Sequence, residues 1–535
     1  MGKKAIKIAE IDNVAVALRD LKLGTVVTVD NTDFNLKSDV QAKHKFALKD
    51  FRVGENVIMY GTIVAVVTKD ISCGGVITTE NVKHKSTTVT GKTEDATIWE
   101  KKDVSKWENR TFDGYVRSDG QVGTQNTWLF FPLVFCENKN IELLKDIFEK
   151  ELGYSEPSKY QNYLRSFLPV SNQSVELKSE KVLNDIKLKF ITHPGGCGSI
   201  RQDSLELSRL LAGYLNNPNV AGATVLSLGC QNLQVDVLKN SLKKINPDFD
   251  KPLLIFEQQQ IGTTEDMIYS AIEDSIGEIM KADKQKREPV PLSNLSVGLE
   301  CGGSDGFSGI SANPVLGFVS DAIVSLGGTV ILSEFPELCG IEQDIVNRCV
   351  NDNDGVRFLE LMKEYEENVV AAGAGFDSNP SPGNIKDGLI TDAMKSNGAA
   401  KKAGSSPIVS VNDYGDYIYK KGLSLLCTPG NDVESTTLMA GSGSNIILFT
   451  TGLGTPTGNP ITPVIKVSSN SNLANRMNDI IDIDSGEIIT GDKTIEEVGS
   501  ELIELIIEIA SGNKLSKATL NKQDDFIPWS RGVSL

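Results

Sequence analysis

The chain has 535 residues, of which 40% are hydrophobic and 23% charged, a length and composition typical of about three globular domains. Its 54 Lys and Arg residues against 71 Asp and Glu residues give a net charge of −17, which argues against nucleic acid and against an anionic membrane as partners. A small anionic substrate stays compatible with this charge, because it responds to the local field of a cleft.

The sequence gives no sign of a membrane or secretory segment. No apolar run reaches the roughly 18 residues of a transmembrane helix, and the first residues lack the apolar core of a signal peptide. The eight cysteines contain no C-x-x-C pair, which argues against a disulfide scaffold and a zinc ribbon. We therefore expect free thiols and a cytoplasmic location. The sequence leaves a homo-oligomer open.

Residues 1–88 are predicted to form a small β-rich module. The segments KAIKIA, TVVTVD and ENVIMYGTIVAVVTKD alternate apolar and polar residues or run as β-branched stretches, as half-buried strands do. Between them, DNVAVALRDL predicts a short amphipathic helix with Asp12 as its N-cap. The polar, Thr- and Lys-rich residues 89–110 predict a linker.

From residue 111 onward, predicted strands alternate with predicted helices, which is the pattern of parallel βαβ units. The predicted fold class is therefore α/β, with the β-rich module followed by parallel-sheet domains at 111–385 and 386–535. Residues 373–407 are rich in Gly, Ser, Asn and Pro and predict a long functional or mobile loop. The predicted strands are 128–136, 186–193, 223–230, 253–258, 295–301, 329–334, 408–411, 422–427, 445–450 and 462–467, and the predicted helices are 140–151, 203–215, 232–243, 263–282, 312–326 and a C-terminal one ending at Gly512.

Three of these strands run into a cysteine that a Gly-rich or polar turn follows. They are KFITHPGGCG with Cys197, TVLSLGCQN with Cys230 and VGLECGGSDG with Cys301. Because the carboxyl ends of parallel strands lie along one edge of a sheet, we expect the three thiols to converge. Three thiolates suit iron, an iron–sulfur cluster or zinc, and they leave one coordination position open. The alternative is that each cysteine is a small buried apolar side chain.

The chain has three histidines, so few residues can serve as an imidazole ligand or base. His193 lies four residues before Cys197, so it is a candidate metal ligand or general base. His44 lies in the segment AKHKFAL of the β-rich module. The alternative for each is a structural hydrogen-bonding role.

Polar, glycine-containing turns follow several predicted strands. The segment CGGSDGFSGISANP, residues 301–314, places backbone N–H groups and a helix N-terminus where a carboxylate or a polyol could bind. It has no G-K-[ST] sequence, which argues against nucleotide binding. TPGNDVESTT and TTGLGTPTGNP are similar turns, with ordinary connections as the alternative.

Several long motifs together resemble one family. CGGSDGFSGISANPVLG, LGCQN, NPSPGN, KAGSS, PGND and GTPTGNP are similar to segments of the altronate/galactarate dehydratase family of sugar-acid hydro-lyases, and the resemblance covers nearly the whole chain. The module around AKHKFAL resembles that family's SAF, or β-clip, domain. The resemblance implies a small SAF-like module at residues 1–88 and loss of water from a hexonate. D-altronate would give 2-keto-3-deoxy-D-gluconate, a step of galacturonate breakdown.

The resemblance also implies iron, as Fe²⁺ or as an iron–sulfur cluster, with Mn²⁺ as an alternative metal. The chain departs from the family pattern at HPGGCG, at VGTQN and at GLGTP. Two arginines that would pair with a substrate carboxylate are missing there. Arg117 and Arg201 are nearby replacements in the sequence.

Dehydration of a 2,3-dihydroxy acid needs a base for the C2 proton and acid or metal assistance for the C3 hydroxide. The predicted metal ligands are Cys197, Cys230 and Cys301. The candidates for proton transfer are His44, His193, Asp203 and Asp305. The candidates for binding the substrate are Arg117, Asn126, Ser304, Asn313, Lys402, Asn431 and Asp432.

Three alternatives stay open. A mononuclear ferrous ion could be held by oxygen and nitrogen ligands, with the cysteines structural. A related lyase could act on galactarate or on a sulfonated hydroxy acid. A non-enzymatic sugar-acid-binding protein would keep the polar turns without needing three cysteines at strand ends.

Overall fold

A computed structural model describes residues 3–87, 89–93, 99–153, 159–167 and 182–532. The chain forms two compact units: residues 1–114 with 288–529, and residues 115–287 with 530–535. Part of the predicted linker, residues 94–98, lies outside the described residues. None of the described helices combines the length and the apolar character that a membrane crossing requires.

The N-terminal module consists of short antiparallel strands. Two of its hairpins turn through Asp30-Asn31 and Tyr60-Gly61, and all four residues have positive φ, the geometry of the type I′ turn that matches the twist of paired strands. The strands pair as β1-β2-β5, β3-β4 and β6-β7-β8. They are β1 (Ala5–Ile6), β2 (Val14–Ala17), β3 (Val26–Val29), β4 (Thr32–Asn35), β5 (Lys45–Ala47), β6 (Asn56–Met59), β7 (Thr62–Val67) and β8 (Val82–His84).

The helix predicted over DNVAVALRDL is wrong. Val14–Ala17 is a strand whose four side chains are all buried, between β1 and β5. A strand that is buried on both faces has no polar alternation, so its sequence also fits a short helix. Asp12 is not an N-cap, because its carboxylate accepts hydrogen bonds from the backbone of Ala9, Tyr60 and Gly61.

The second unit is built on a four-stranded parallel sheet in the order β12-β11-β13-β14. Its core includes Trp128, Phe130 and Met267. The elements are β9 (Thr111–Val116), which begins in the first unit, β10 (Val122–Gly123), β11 (Thr127–Pro132), α1 (Asn138–Glu151), α2 (Lys159–Arg165), β12 (Lys187–Phe190), α3 (Arg201–Asn216), β13 (Val220–Ser227), α4 (Val235–Ile245), β14 (Leu253–Glu257), α5 (Gln258–Ile261) and α6 (Thr264–Ala282).

The rest of the first unit is built on a seven-stranded parallel sheet in the order β18-β19-β17-β16-β20-β21-β22. The parallel α/β class predicted from the sequence is therefore confirmed. The strands of this sheet come from both sides of residue 385, where the sequence analysis places a domain boundary. Its elements are β15 (Glu288–Pro291, paired with β9), β16 (Ser296–Cys301), α7 (Ala312–Ser325), β17 (Thr329–Leu332), α8 (Glu342–Arg348), α9 (Asp352–Ala371), α10 (Pro382–Lys386), α11 (Asp392–Ala400), β18 (Ile408–Asn412), β19 (Gly422–Leu426), α12 (Asp432–Gly441), β20 (Ile446–Thr451), β21 (Val464–Ser468), α13 (Ser471–Arg476), β22 (Ile483–Asp484), α14 (Glu487–Thr490), α15 (Ile495–Ala510) and α16 (Lys517–Leu520).

The long loop predicted at 373–407 contains two helices, α10 and α11. Ser381 begins α10 with a reciprocal capping box to Asn384, and Thr391 caps α11 through the backbone N–H of Met394. The small residues that suggested a loop serve close packing instead, because a Cβ on Gly309 would lie 2.7 Å from the Cα of Gly398. The segment is thus part of the packed structure.

The N-terminal module shares one hydrophobic core with the turn that follows β16 and with the region of α11. Apolar residues of the module, such as Met59 and Val64, pack in the same cluster as Phe307, Ile390 and Met394. This shared core fixes the module against α11 and against the turn that follows β16.

Candidate active site at the carboxyl edge of the seven-stranded sheet

The chain reverses its direction across the sheet between β16 and β20. From β16 it continues to β17 on one side, and it later returns to β20 on the other side. In open parallel sheets, ligands bind in the crevice outside the carboxyl ends of such strands. The turns that follow these strands contact each other, since Gly302 donates to the Thr450 carbonyl at 3.0 Å and Gly452 donates to the Gly303 carbonyl at 3.0 Å.

A buried group of ionisable side chains lies under this crevice. We call it the Cys301 cluster, and its thiol belongs to the last residue of β16. Cys301 Sγ lies 2.9 Å from Glu337 Oε2 and 2.9 Å from Lys402 Nζ. Lys395 Nζ lies 2.6 Å from Glu337 Oε1. The members of the cluster are Glu300, Cys301, Glu334, Glu337, Lys395 and Lys402.

Glu334 is held in an unusual backbone conformation. Its φ of 65° lies in the left-handed region, which costs a residue with a side chain about 1–2 kcal/mol. The turn is fixed because Glu334 N donates to Thr428 Oγ1 at 2.7 Å. The conformation directs the carboxylate to Lys402 and to the backbone N–H of Cys301, which is 3.1 Å away. Strain of this kind is characteristic of functional sites.

Burial and neighbouring charge set the protonation states of the cluster. Burial and the nearby Glu334 carboxylate raise the pKa of Glu300 well above its ordinary value, and the same two causes raise the pKa of the Cys301 thiol. Burial lowers the pKa of Lys402, but Cys301 and the glutamates more than offset this, so its ammonium stays charged. Because Glu300 and Glu334 are both buried and repel each other when both are charged, a proton on Glu300 is favoured.

The cluster contains the one group of three His, Cys, Asp or Glu side chains that lie close enough together to hold a metal ion, within the described part of the chain. The ligand atoms of Cys301, Glu334 and Glu337 all lie within 4.8 Å of one another. One thiolate with two carboxylates is a donor set that Fe²⁺ or Zn²⁺ accepts. However, the Lys402 ammonium already contacts both Cys301 Sγ and Glu334. Two lysines balance two carboxylates, so this arrangement fits a metal only if Lys402 moves away.

Asp432, at the start of α12, forms the more accessible rim of the cluster. Burial and the charge of Glu337 raise the pKa of Asp432 to about 6. Its carboxylate packs directly on Gly302, where an added Cβ would lie 2.1 Å from Asp432 Oδ2. The charge of Lys466 on β21 acts on the same carboxylate. The rim therefore presents a carboxylate whose pKa is close to neutral pH.

Lys466 is buried without a hydrogen-bonding partner for its Nζ among the described residues. The ammonium lies 3.3 Å from the centroid of the Phe449 ring. Burial lowers the pKa of Lys466 to about 7, although Asp432 and Glu300 oppose this shift. The folded protein therefore carries the full cost of burying this charge only below about pH 7.

Replacing Lys466 by Met is expected to stabilise the fold at low pH, by on the order of 3 kcal/mol. Between about pH 7 and pH 10.5 the folded wild type holds fewer protons at this lysine than the unfolded chain does. Its stability thus rises with pH, and the advantage of Lys466→Met shrinks. Chemical denaturation of both proteins from pH 6 to pH 10 measures this difference. The exposed Lys420→Met variant is the matched control, and an advantage that does not vary with pH would contradict the prediction.

The N-terminal module brings a second group of charged residues to the turn after β16. Lys43 Nζ lies 3.0 Å from Asp305 Oδ2 and 2.7 Å from Asp387 Oδ1. His44 Nε2 lies 3.0 Å from the Lys386 carbonyl. Lys45 is fully buried and donates to the Gly388 carbonyl, and burial lowers its pKa to about 8.

Asp305, a predicted catalyst, is fully buried and highly hydrogen-bonded. Its Oδ1 accepts from the backbone N–H groups of Phe307 and Ser308 and from the hydroxyl of Ser469 at 2.8 Å. Its Oδ2 accepts from Asn470 and pairs with Lys43. These contacts favour an organising role for Asp305 in the turn.

The other predicted residues of this unit also lie around the crevice. Asn313 is buried and joins the Gly398 carbonyl to Thr450 Oγ1. Asn431 is the N-cap of α12 and accepts from the backbone N–H groups of Val433 and Glu434. The backbone of Ser304 accepts from Asn384. Their roles in binding the substrate stay predictions.

In the second unit, the predicted Arg117 and Asn126 contact each other. Arg117 is buried and donates to Asn126 Oδ1 at 3.1 Å and to the carbonyls of Pro218 and Gln125. Burial lowers its pKa to about 10. Asp203 accepts hydrogen bonds from Ser530, Arg531 and Gly532, so it anchors the chain's last described residues. Both arrangements favour a structural role.

His193 is almost fully buried, and both ring nitrogens are engaged. Nε2 donates to the Pro132 carbonyl at 2.8 Å, and Nδ1 accepts from the Gly195 backbone at 3.2 Å. Burial lowers its pKa to about 4. The neutral ring therefore joins the turn after β11 to the turn after β12.

The three predicted metal-ligating cysteines do not lie on one sheet. Cys197 and Cys230 follow β12 and β13 of the four-stranded sheet, whereas Cys301 ends β16 of the seven-stranded sheet, in the other unit. The expectation of a common sheet edge is therefore wrong for Cys301. The three-cysteine ligand set itself stays a prediction.

Sequence reasoning missed Glu300, Glu334, Glu337, Lys395 and Lys466. One signal was available, because LECGG and ILSEFPE place acidic residues at the ends of two buried strands. A buried strand that ends in a carboxylate is unusual, since charged residues are seldom buried unless paired.

Comparison with known proteins agrees with this architecture. The family models described as Altronate/galactarate dehydratase SAF domain, D-galactarate dehydratase/Altronate hydrolase second domain, and D-galactarate/Altronate dehydratase C-terminal match residues 3–85, 114–282 and 292–534. Altronate dehydratase of Escherichia coli is 35% identical over 97% of each chain, and altronate dehydratase of Bacillus subtilis is 33% identical over 100% of each. Galactarate dehydratase (L-threo-forming) of E. coli is 32% identical over 95% of this chain and 93% of its own length.

The fold and these matches define an enzyme of the hydro-lyase class, with an N-terminal SAF domain and two α/β domains. The chain belongs to the altronate/galactarate dehydratase family. The resemblance that the sequence motifs carried is thereby confirmed.

Proposed function

We propose that this enzyme removes water from D-altronate to give 2-keto-3-deoxy-D-gluconate. The observation that carries the proposal is full-length similarity to two altronate dehydratases, at 35% and 33% identity. The Cys301 cluster at the carboxyl edge of the sheet supports it, because it supplies buried acids and lysines beside a rim carboxylate. Galactarate is the second candidate, since a galactarate dehydratase is 32% identical over 95% of the chain.

Asp432 is the proposed base for the C2 proton. A carboxylate with a pKa near 6 is largely ionised at neutral pH, yet it is more basic than an ordinary Asp. Gly302 leaves room for the carboxylate on the turn after β16. The charged Lys402 and Lys395 below it favour the negative charge that develops on the substrate carboxylate when the proton leaves.

The proposal includes iron, and Mn²⁺ is the alternative metal. When bound, iron supplies a Lewis acid that holds the substrate's oxygens and assists the departure of hydroxide. In this structure lysines already neutralise the negative charge of the Cys301 cluster. We therefore assign no catalytic step to a metal in that cluster.

The test is a substrate panel with the full chain, purified without oxygen and supplied with Fe²⁺ and, separately, Mn²⁺. Formation of a 2-keto-3-deoxy acid is measured for D-altronate, D-galactarate and other hexonates. Faster turnover of D-altronate supports the proposal, whereas turnover of galactarate alone establishes the second candidate. Binding of sugar acids without turnover in any metal state would identify a binding protein instead.

Replacing Asp432 by Asn is expected to lower kcat by about 10²–10⁴-fold, the usual contribution of a positioned base. KM should change little, because the amide keeps the size of the side chain. Glu434→Gln, on the same helix and half-buried, is the matched control and should retain activity. A variant Asp432→Asn with near wild-type kcat would remove Asp432 from the mechanism.

A further inference from the structure

Three cysteines lie at the carboxyl ends of neighbouring strands in the second unit. Cys136 follows β11, Cys197 follows β12 and Cys230 follows β13. These strands are adjacent and parallel, in the order β12-β11-β13. Their carboxyl ends therefore share one edge of the sheet. The sequence analysis expected this arrangement for Cys197 and Cys230 but with Cys301, instead of Cys136, as the third cysteine.

Backbone hydrogen bonds join the three turns that carry these thiols. Phe135 donates to the Gly195 carbonyl at 3.1 Å, and Leu233 donates to the Gly196 carbonyl at 3.1 Å. Gly196 has a φ of +95°, and an added Cβ there would lie 2.0 Å from the Leu133 carbonyl. The middle turn is thus packed tightly against its neighbours and fixes the positions of all three.

Each of these cysteines also precedes a helix of more than ten residues. Cys136, Cys197 and Cys230 lie shortly before α1, α3 and α4, which have 14, 16 and 11 residues. The N-termini of three helices, which carry partial positive charge, therefore lie at this edge of the sheet.

These three thiols are more accessible than the buried cysteines of the chain. Cys136 and Cys230 are exposed and Cys197 is half-buried, all three as free thiols, whereas Cys349 and Cys427 are buried. Within the described part of the chain, the backbone N–H groups of Cys197 and Cys230 donate to no protein acceptor. Such groups can donate to the sulfurs of a bound anionic cluster.

We propose that Cys136, Cys197 and Cys230 hold an iron–sulfur cluster, with one iron left without a protein ligand. A mononuclear site with metal–sulfur bonds of about 2.3 Å needs its sulfurs within about 4 Å of one another. Among the described residues, only the ligand atoms of Cys301, Glu334 and Glu337 form a group of three within 4.8 Å. At least one pair of the three sulfurs is therefore more than 4.8 Å apart, wider than a mononuclear site allows. A cluster, in which each thiolate binds a different iron, allows wider spacing.

The site stands on the geometry of the second unit alone, but its use as the Lewis acid of dehydration rests on the proposed function. His193 acts in it as a positioning residue, because its ring joins the turns that carry Cys136 and Cys197. Cys301 has no part in it.

The test is anaerobic reconstitution of the full chain with ferrous iron and sulfide. Iron and acid-labile sulfide per chain, visible absorption and the electron paramagnetic resonance of the reduced protein are measured for the wild type and for Cys136→Ser, Cys197→Ser and Cys230→Ser. The wild type is expected to bind iron and sulfide in similar amounts, and each variant to lose most of both. Cys301→Ser and Cys339→Ser are the matched controls and should keep them, and thermal unfolding of every variant checks the fold.

Several results would overturn the site. These are iron without sulfide in the wild type, no iron at all, or a Cys301→Ser variant that loses the cluster while Cys136→Ser keeps it. If the loaded wild type holds the cluster but dehydrates no sugar acid, the proposed function fails and the site stands.

Discussion

The variant Lys402→Met is expected to lose about 3–5 kcal/mol of its free energy of unfolding. Lys402 is almost fully buried, and its ammonium contacts Cys301 Sγ at 2.9 Å and the Glu334 carboxylate. Without this cation, Glu334 and Glu337 face each other in a buried site with Lys395 as the remaining positive charge. Chemical denaturation at neutral pH measures the loss, and dehydration activity should fall with it.

Two further variants show whether the lost ion pair is the cause. Lys401→Met changes the exposed neighbouring lysine, whose Nζ lies 6.0 Å from the Tyr60 ring centroid, and it should leave stability nearly unchanged. The double variant Glu334→Gln/Lys402→Met removes the unpaired carboxylate too, so its loss should be smaller than the sum of the two single losses. Additive losses would mean that the two side chains do not stabilise each other.

Asp305→Ala is expected to cost a similar amount, about 3–5 kcal/mol, because it leaves buried donors without an acceptor. The donors include the backbone N–H groups of Phe307 and Ser308, and the Lys43 ammonium loses one of its two carboxylates. Asp387→Ala is the matched control. Its carboxylate also pairs with Lys43 but is partly exposed, so its loss should stay near 1 kcal/mol.

The conservative variant Asp305→Asn separates the two roles considered for this residue. It keeps Oδ1 as an acceptor for the turn but removes the negative charge. If Asp305 organises the turn, thermal stability and kcat should fall together, and the pH profile should keep its shape. A large loss of kcat with unchanged stability would instead support a role in proton transfer.

The sequence predicts the layers of this protein well, because its parallel strands carry long apolar runs followed by amphipathic helices. The helices predicted at 203–215 and 263–282 lie within α3 and close to α6. The segment Val14–Ala17 was wrongly predicted as helical, because both of its faces are covered and no alternation marks it as a strand. Residues 373–407 were predicted as a loop because they are rich in glycine and serine. In the structure, these small residues instead permit the close packing of α11.

The candidate site could be predicted only in part. Cys301, Lys402 and Asp432 follow recognisable motifs, so the sequence singled them out. For Glu334 the signal is its place after a buried strand, and Glu337, three residues further on, has no local pattern that distinguishes it from a surface acid. Their function in the cluster depends on the strand order, which brings β17 next to β16, and on a left-handed turn at Glu334.

The core that the N-terminal module shares with the turn after β16 and with the region of α11 also affects how the chain folds during synthesis. Residue 85 leaves the ribosome long before Phe307, Ile390 and Met394, which complete the core around Met59 and Val64. At a synthesis rate of about 5–20 residues per second, the delay is roughly 15–60 s. During that time the module presents an unpartnered apolar face, the kind of surface that chaperones bind in nascent chains.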